Sequence, residues 1–334
     1  DVYKRQANLL MVSALHQMGR LKNNKVVVPQ VSWSTTIFPV IQLGLTPIMC
    51  DCNLNNLGID LDNFKMLVER EDPAAIILVH VLGLDSNIKE IRKICKENNI
   101  VLMEDTCESL GSEVDGKKLG TFGDCGSFSF YFGHHISTIE GGMVCTDDDN
   151  IADVIRMMRS HGWDRDLGDD SKKLLRDKYD VCEFDALYKF YYAGFNLRST
   201  DLQAYIGIRQ IDKLKWVVET RERNYCTYIE ELKDNLWKPI KTSGQNIVSN
   251  MGYPLIVENR EEIHRVLSEN GIESRPLVSG SMGTQPIWVD TYGETRMKNA
   301  DIIQNKGMYV PNHPDMRIED IKRICSIINE VEND

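Results

Sequence analysis

The chain has no long apolar run, no excess of basic residues and almost no closely spaced thiols, and each shortage closes off a class of protein. Its longest apolar stretch, Ala74–Leu84, is interrupted by His80 and Gly83. It falls short of the ~20 residues that cross a bilayer and reads as a buried strand. Lys and Arg number 39 against 50 Asp and Glu, a formal charge of −11. That balance argues against nucleic-acid or anionic-membrane partners and leaves room for a local basic pocket for a diphosphate. Nine cysteines are scattered; only Cys50-Asp51-Cys52 brings two together, and Cys182 stands alone. An iron–sulfur centre needs about four converging thiolates, so no cluster is expected, and reduced thiols in apolar segments suit a cytoplasmic protein. No Gly-x-Gly-x-x-Gly follows a strand and no Gly-x-x-x-x-Gly-Lys-Ser/Thr loop occurs, which argues against a nicotinamide oxidoreductase. His134 and His135 lack any His-x-x-x-His or Cys/His companion of ligand spacing, so no metal site is expected. No secretory signal is visible. The chain begins Asp1-Val2-Tyr3-Lys4-Arg5-Gln6 without Met, which leads to the expectation of a truncated start.

What is present is an alternation. The pattern predicts helix over Ala7–Met18, strand over Lys25–Val28, helix over Thr35–Leu43, strand over Pro47–Asp51 and helix over Asp60–Arg70. Strand Ala74–His80, helix Asn87–Asn98 and strand Ile100–Asp105 follow. Strands and helices at this spacing give an α/β fold, a mostly parallel sheet sandwiched by helices. Gly162–Tyr192 is charged and aromatic without clear period and reads as a long loop or short helices; Ser199 to about Leu232 reads as helical. With 334 residues the chain suggests a large domain over 1–235 and a smaller C-terminal α+β domain over 236–334. In the latter, strand Met251–Val257, helix Glu261–Asn270, strand Ile272–Pro276 and helices Asn299–Lys306 and Ile318–Val331 are expected.

Chemistry concentrates after the last large-domain strands. Gly126–Phe132 and Gly142–Cys145 flank a polar loop with two histidines, two hydroxyls and a Glu-Gly-Gly turn. Ile100–Asp105 ends on a carboxylate. Side chains at the carboxyl ends of neighbouring strands in an open α/β sheet converge on one crevice, so Asp105, Ser129 and His134 can share a site.

These residues carry a resemblance. Glu104-Asp105-Thr106-Cys107-Glu108-Ser109, Gly123-Asp124, Ser127-Phe128-Ser129-Phe130 and Glu140-Gly141-Gly142-Met143 resemble the DegT/DnrJ family. Phe195-Asn196-Leu197-Arg198-Ser199-Thr200-Asp201-Leu202-Gln203-Ala204 and Gly271-Ile272-Glu273-Ser274-Arg275-Pro276 continue the pattern, from about Ala7 to the C-terminus. The resemblance implies a pyridoxal-phosphate (PLP) enzyme of the PLP-transferase fold type I acting on nucleotide-linked keto-sugars. The family's Schiff-base lysine stands six residues before the Glu of Glu-Gly-Gly, where this chain has His134. In that respect the chain resembles the family's sugar 3-dehydratases, which carry a His-His pair there.

The resemblance distributes roles. Asp105 faces the pyridine nitrogen and keeps it protonated, since an opposite charge favours the charged form; alone, it reads equally as a turn cap. Trp33 stacks on the cofactor ring, where the bare sequence favours a core Trp. Glu108 belongs to the cofactor-binding segment and Ser129 binds the phosphate, or is a core hydroxyl. Asn196 reaches the phosphate in the partner subunit's site, or caps a helix; the first reading requires a homodimer with shared active sites. An imidazole at His134 shuttles protons but cannot tether PLP, so PLP or pyridoxamine phosphate (PMP) is held non-covalently. The implied reaction is C3 dehydration of a nucleotide-diphosphate 4-keto-6-deoxy sugar with L-glutamate as amino donor. A sugar-nucleotide aminotransferase and a non-catalytic cofactor- or sugar-binding protein are the alternatives. His161, Arg165 and Arg275 are candidate sugar and diphosphate contacts, since Arg binds phosphate bidentately; His313 resembles another position near the site. Solvated loop charges are the rival reading for each. Nothing local fixes a role for His135. The family's small-residue phosphate turn is replaced by Tyr3-Lys4-Arg5-Gln6, too bulky for close backbone approach to a phosphate. Weak cofactor binding and a natural chain extending further upstream are therefore expected.

Overall fold

A computed structural model describes the backbone over residues 4–332 and side chains over 6–332. Helix α1 (Lys4–Gln17) leads into β1 (Lys25–Pro29), α2 (Ser34–Gln42), β2 (Thr46–Cys50), α3 (Leu61–Glu71), β3 (Ala75–Val79), α4 (Ile88–Glu97) and β4 (Val101–Asp105). Two-residue strands β5 (Glu113–Val114) and β6 (Lys117–Lys118) precede β7 (Cys125–Ser129) and β8 (Gly142–Cys145). The central sheet runs β2-β1-β3-β4-β7-β8, parallel except for the β7–β8 hairpin. This is the expected helix-covered, mainly parallel sheet.

The valines of β1 and the Ala-Ile-Ile-Leu-Val run of β3 are buried on both faces, as central parallel strands require. The chain leaves β1 toward β2 on one side and returns to β3 on the other, so the strand order reverses between β1 and β3. Ligand crevices lie at such a switch point, outside the strand carboxyl ends. Register brings Val79 opposite Asp105 and Asp105 opposite Ser127, so three strands finish together beneath that crevice.

The turn between β6 and β7 is set by glycine. A Cβ on Gly126 would lie 2.1 Å from the Gly120 carbonyl oxygen, and one on Gly123 2.4 Å from that of Leu102. This closeness lets backbone N–H groups reach a buried carboxylate. Glu104 accepts from Gly120 at 2.8 Å, Phe122 at 2.6 Å and Gly123 at 2.6 Å, and His80 Nε2 lies 3.2 Å from it. Burial alone would raise its carboxyl; the His80 bond and charge and the N–H groups of Gly123 and Gly120 prevail and hold it below the usual range.

After α5 (Asp149–Met158) the segment read as aperiodic contains helix α6 (Asp169–Tyr179) and a 3-10 turn at Asp185–Tyr188. Helix α6 buries no residue, which is why it left no apolar period; acids at its start and Arg176 and Lys178 at its end suit the helix dipole. The excursion is clamped at its base. Ser160 bridges Asn196, and Phe195 N–H donates to Met158 and Leu197 N–H to Arg159 at 2.6 and 2.8 Å. The single helix expected from Ser199 breaks at Asp212–Lys213 into α7 (Asp201–Ile211) and α8 (Leu214–Glu231).

Beyond β9 (Gln245–Ile247), which pairs with β5, lie β10 (Gly252–Ile256), α9 (Arg260–Glu269), β11 (Arg275–Pro276), α10 (Pro286–Tyr292), α11 (Lys298–Lys306), β12 (Gly307–Pro311) and α12 (Ile318–Val331). The antiparallel sheet β10-β12-β11 packs on α8, α9, α11 and α12 around Tyr225, Tyr228 and Tyr253. The strand expected over Ile272–Pro276 shrinks to two residues, and the central β12 was not anticipated. No helix among the described residues is long and apolar enough to cross a membrane.

Candidate active site

A cavity of about 600 Å³ opens over the strand ends. Trp33, Glu108, His134 and Arg275 line it, so four of the anticipated residues meet there.

Asp105 is not itself a lining residue; it lies behind the wall, linked to the lining residues Thr35 and His134 through Asn8 and Cys107. It is 3% exposed; Oδ2 accepts from Asn8 Nδ2 at 2.8 Å and Thr36 Oγ1 at 2.9 Å, and Oδ1 from the Cys107 N–H at 3.2 Å. Asn8 is itself held, its Oδ1 accepting from Ser127 Oγ at 2.6 Å. Helices α1 and α2 thus fix the carboxylate as an acceptor aimed by four elements. Trp33 sits just before α2, its backbone extended at φ −85°, ψ 149°. Its side chain is 47% exposed, so the core reading fails and an indole face is open for stacking. Glu108 is buried, and its Oε2 accepts from the Leu82 N–H at 3.1 Å.

His134 is half-buried on the loop between β7 and β8. Its Nδ1 contacts the Cys107 carbonyl. A carbonyl only accepts, so Nδ1 carries the proton and Nε2 is the basic nitrogen. Tyr131 meets the ring edge-on, centroids 6.0 Å apart. Arg275 pairs with Glu273 at 2.5 Å; that bond first, and Tyr309 beside it, push its guanidinium pKa up.

Other anticipated residues lie elsewhere in the single chain. Ser129 is buried beneath, its Oγ accepting from the Tyr131 N–H at 3.3 Å. Asn196 is exposed, its Oδ1 accepting from Arg198 Nε at 3.3 Å. His161 and Arg165 belong to the clamped excursion, where Arg165 stacks 3.9 Å over Trp163. His313 is largely exposed, its Nδ1 accepting from the Asp315 N–H at 3.2 Å. The turn expected to hold phosphate includes Tyr3 and the side chains of Lys4 and Arg5, outside what is described; Gln6 beside it lines the cavity.

Sequence reasoning passed over Thr35, Tyr131, Glu140, Met251, Val278 and Tyr309, which also line it. Thr35 was findable from its place beside Trp33. Its Oγ1 is buried and without a protein partner. Such an orphaned hydroxyl on the wall, with a fixed carboxylate behind it and an open indole, suits a flat, hydrogen-bonding cationic ring, and the residues present therefore fit pyridoxal phosphate. Val278 at φ 53° and Leu82 at φ 46° line the cavity in left-handed backbone, strain of the kind that gathers at binding sites.

A mainly parallel sheet with a bonded carboxylate at the end of β4, and a separate three-stranded antiparallel sheet that adds Arg275 and Tyr309 to the cavity, defines a cofactor-dependent enzyme of the aminotransferase fold. The chain belongs to the DegT/DnrJ/EryC1/StrS aminotransferase family, which matches residues 6–329. It is 35% identical to GDP-4-keto-6-deoxy-D-mannose 3-dehydratase of Escherichia coli O55:H7 (strain CB9615 / EPEC), over 92% of this chain and 81% of that protein. The E. coli enzyme of that name solved with hydrated PLP superimposes with a TM-score of 0.87 at 31% identity, covering 98% of this chain and 86% of the other. A GDP-4-keto-6-deoxymannose-3-dehydratase holding a trapped PLP-glutamate geminal diamine aligns with the same TM-score, identity and coverage.

Proposed function

We propose that this chain removes the C3 hydroxyl of a nucleotide-linked 4-keto-6-deoxy sugar, taking an amino group from L-glutamate and releasing it as ammonia. The observation that carries the reading is the imidazole of His134 on the cavity wall, with no lysine among the described lining residues and with Cys107 bonded both to it and to Asp105. When bound, PLP or PMP supplies an electron sink next to the carbon that carries the amine.

The chain's own residues do the rest. Asp105, fixed by Asn8 and Thr36, would keep a ring nitrogen protonated; Trp33 would offer its indole to the ring, and Glu108 and Thr35 would supply polar contacts. His134 Nε2 takes and returns a proton at the cavity face while Nδ1 stays on Cys107. An imidazole at His134 can move a proton but cannot form a Schiff base, so the residues of the cavity would hold the cofactor by non-covalent contacts alone. Arg275 is the diphosphate contact, recruited from Glu273 when substrate arrives.

A homodimer with shared sites belongs to this reading. Helix α7 exposes Leu202, Tyr205, Ile208 and Ile211 at 61–66%, an apolar band that winds about half-way round the helix. Asn196, four residues before its N-cap, projects outward beside it. His161 and Arg165 ride the same clamp and approach the partner's cavity. A division at about residue 235 and a cytoplasmic location, supported by nine free cysteines, complete the reading.

The test is incubation with glutamate, PLP and a GDP- or dTDP-linked 4-keto-6-deoxy sugar. Ammonia and a 3-deoxy product are expected. An amino-sugar product would make the chain an aminotransferase, and no 2-oxoglutarate from glutamate would make it a binding protein. Borohydride is expected to leave PLP unattached to the protein and to trap it in His134→Lys.

A further inference from the structure

His135 has no part in the reaction as derived, yet one of its ring nitrogens is fixed by the fold, while its buried Nδ1 has no partner. The side chain is buried, with Nε2 3.0 Å from the carbonyl oxygen of Ser249. A carbonyl only accepts, so the proton is on Nε2. Burial first, then the charge of Arg221, keep the pKa well below 6.5, and the ring is neutral. Arg221 is buried too; its Nη1 donates to the Asn250 carbonyl at 3.0 Å and to that of Asn312.

Ser249 is a junction. It stands two residues before Met251, which lines the cavity from the small domain. Its N–H donates to Ser112 Oγ at 2.9 Å, and Ser112 Oγ donates to the Gly83 carbonyl at 2.9 Å. A Cβ on Gly83, at φ 81°, would fall 2.6 Å from the Ser249 carbonyl oxygen, so only glycine lets the two backbones meet. Leu82, next to it, holds Glu108. One continuous set of contacts thus joins His135, Ser249 and Gly83 to the opposite wall of the cavity.

We propose that His135 is a positioning residue: by donating from Nε2 to the Ser249 carbonyl it pins the histidine loop to the small domain, so that His134 keeps Nδ1 on Cys107 and offers Nε2 as base. Its catalytic consequence rests on the reaction proposed above; its structural consequence does not. If the ring were only filler, a phenyl group would serve equally well. A misplacement of about 1 Å at a reacting group costs about 10²-fold in rate, so the loss of this pin is measurable.

The experiment compares His135→Phe, which keeps a ring and loses the donor, with His135→Gln, whose amide nitrogen can reach the same carbonyl. In cofactor-free, 15N-histidine-labelled full chain, with the His134 signal assigned by its loss in His134→Asn, wild type and His135→Gln are expected to show the Nδ1–H tautomer. His135→Phe is expected to show a tautomer mixture. With cofactor and substrate, kcat is expected to fall about 10²-fold in His135→Phe at unchanged KM and to stay within about threefold of wild type in His135→Gln. Melting temperatures separate misfolding from misplacement; should His135→Phe fail to fold, His135→Asn, too short to reach Ser249, takes its place. An unchanged His134 tautomer in the donor-less variant, or a Gln variant as impaired as Phe, overturns the proposal. Wild-type inactivity with the expected tautomer pattern overturns the functional reading alone.

Discussion

The layer behind the cavity wall and the cavity's rim are built in opposite ways. In that layer, Asp105, Thr36, Asn8, Ser127 and Glu104 are buried and bonded to one another or to backbone N–H groups. Around the rim, Phe132 and Ile139 are 69% and 62% exposed, and α7 buries none of its residues. A single chain completes the first region and leaves the second unfinished. Charge placement is thus intramolecular, whereas in the homodimer proposed above enclosure would fall to a second copy.

Five changes test that contrast, in descending order of effect. Asp105→Asn removes the charge behind the wall while keeping the side chain's shape, and turnover of the keto-sugar is expected to fall about 10³-fold with the fold retained by circular dichroism. On the rim, Leu202→Asp combined with Ile208→Asp is expected to weaken self-association by about 10²-fold or more, read by sedimentation; a monomeric wild type would remove the contrast altogether. Glu104→Gln is expected to cost about 2 kcal/mol of stability in urea. Because its folded pKa is depressed, the wild-type contribution is present above the ordinary value of 4.5 and vanishes as pH falls through the lower folded value.

The fourth change uses His135, neutral when folded and protonated below 6.5 when unfolded. Stability is expected to decline as pH drops below that value, by up to about 1.4 kcal/mol per pH unit. His135→Gln should flatten this limb of the melting curve series. Smallest is the rim's own helix start: Thr200 and Gln203 form a capping box on α7, and Thr200→Ala is expected to cost about 1 kcal/mol, measured as local amide exchange.

How much of this was legible depends on how local the cause is. The apolar runs of β1 and β3, and strands ending on a carboxylate or a polar loop, declared the sheet and the candidates Asp105 and His134, since burial on both faces and strand ends are written in consecutive residues. Their partners were not. Asn8 and Thr36 reach Asp105 across separations of 97 and 69 residues, and no pattern near any of the three announces it. Tyr309 stayed hidden because its place between Arg275 and Pro254 is set by pairing of segments remote in the chain, which no local pattern announces. Helix α6 was hard to read because it buries none of its residues and meets the core only through half-buried Leu175.

The excursion between Ser160 and Asn196 leaves and returns at one clamp, a pair of facing backbones stitched by neighbouring hydrogen bonds. Lengthening a loop whose ends are already joined costs little, since closure entropy grows only with the logarithm of its length. The segment therefore behaves as a cassette. It can be exchanged, trimmed or extended over generations without disturbing what lies on either side of the stitch.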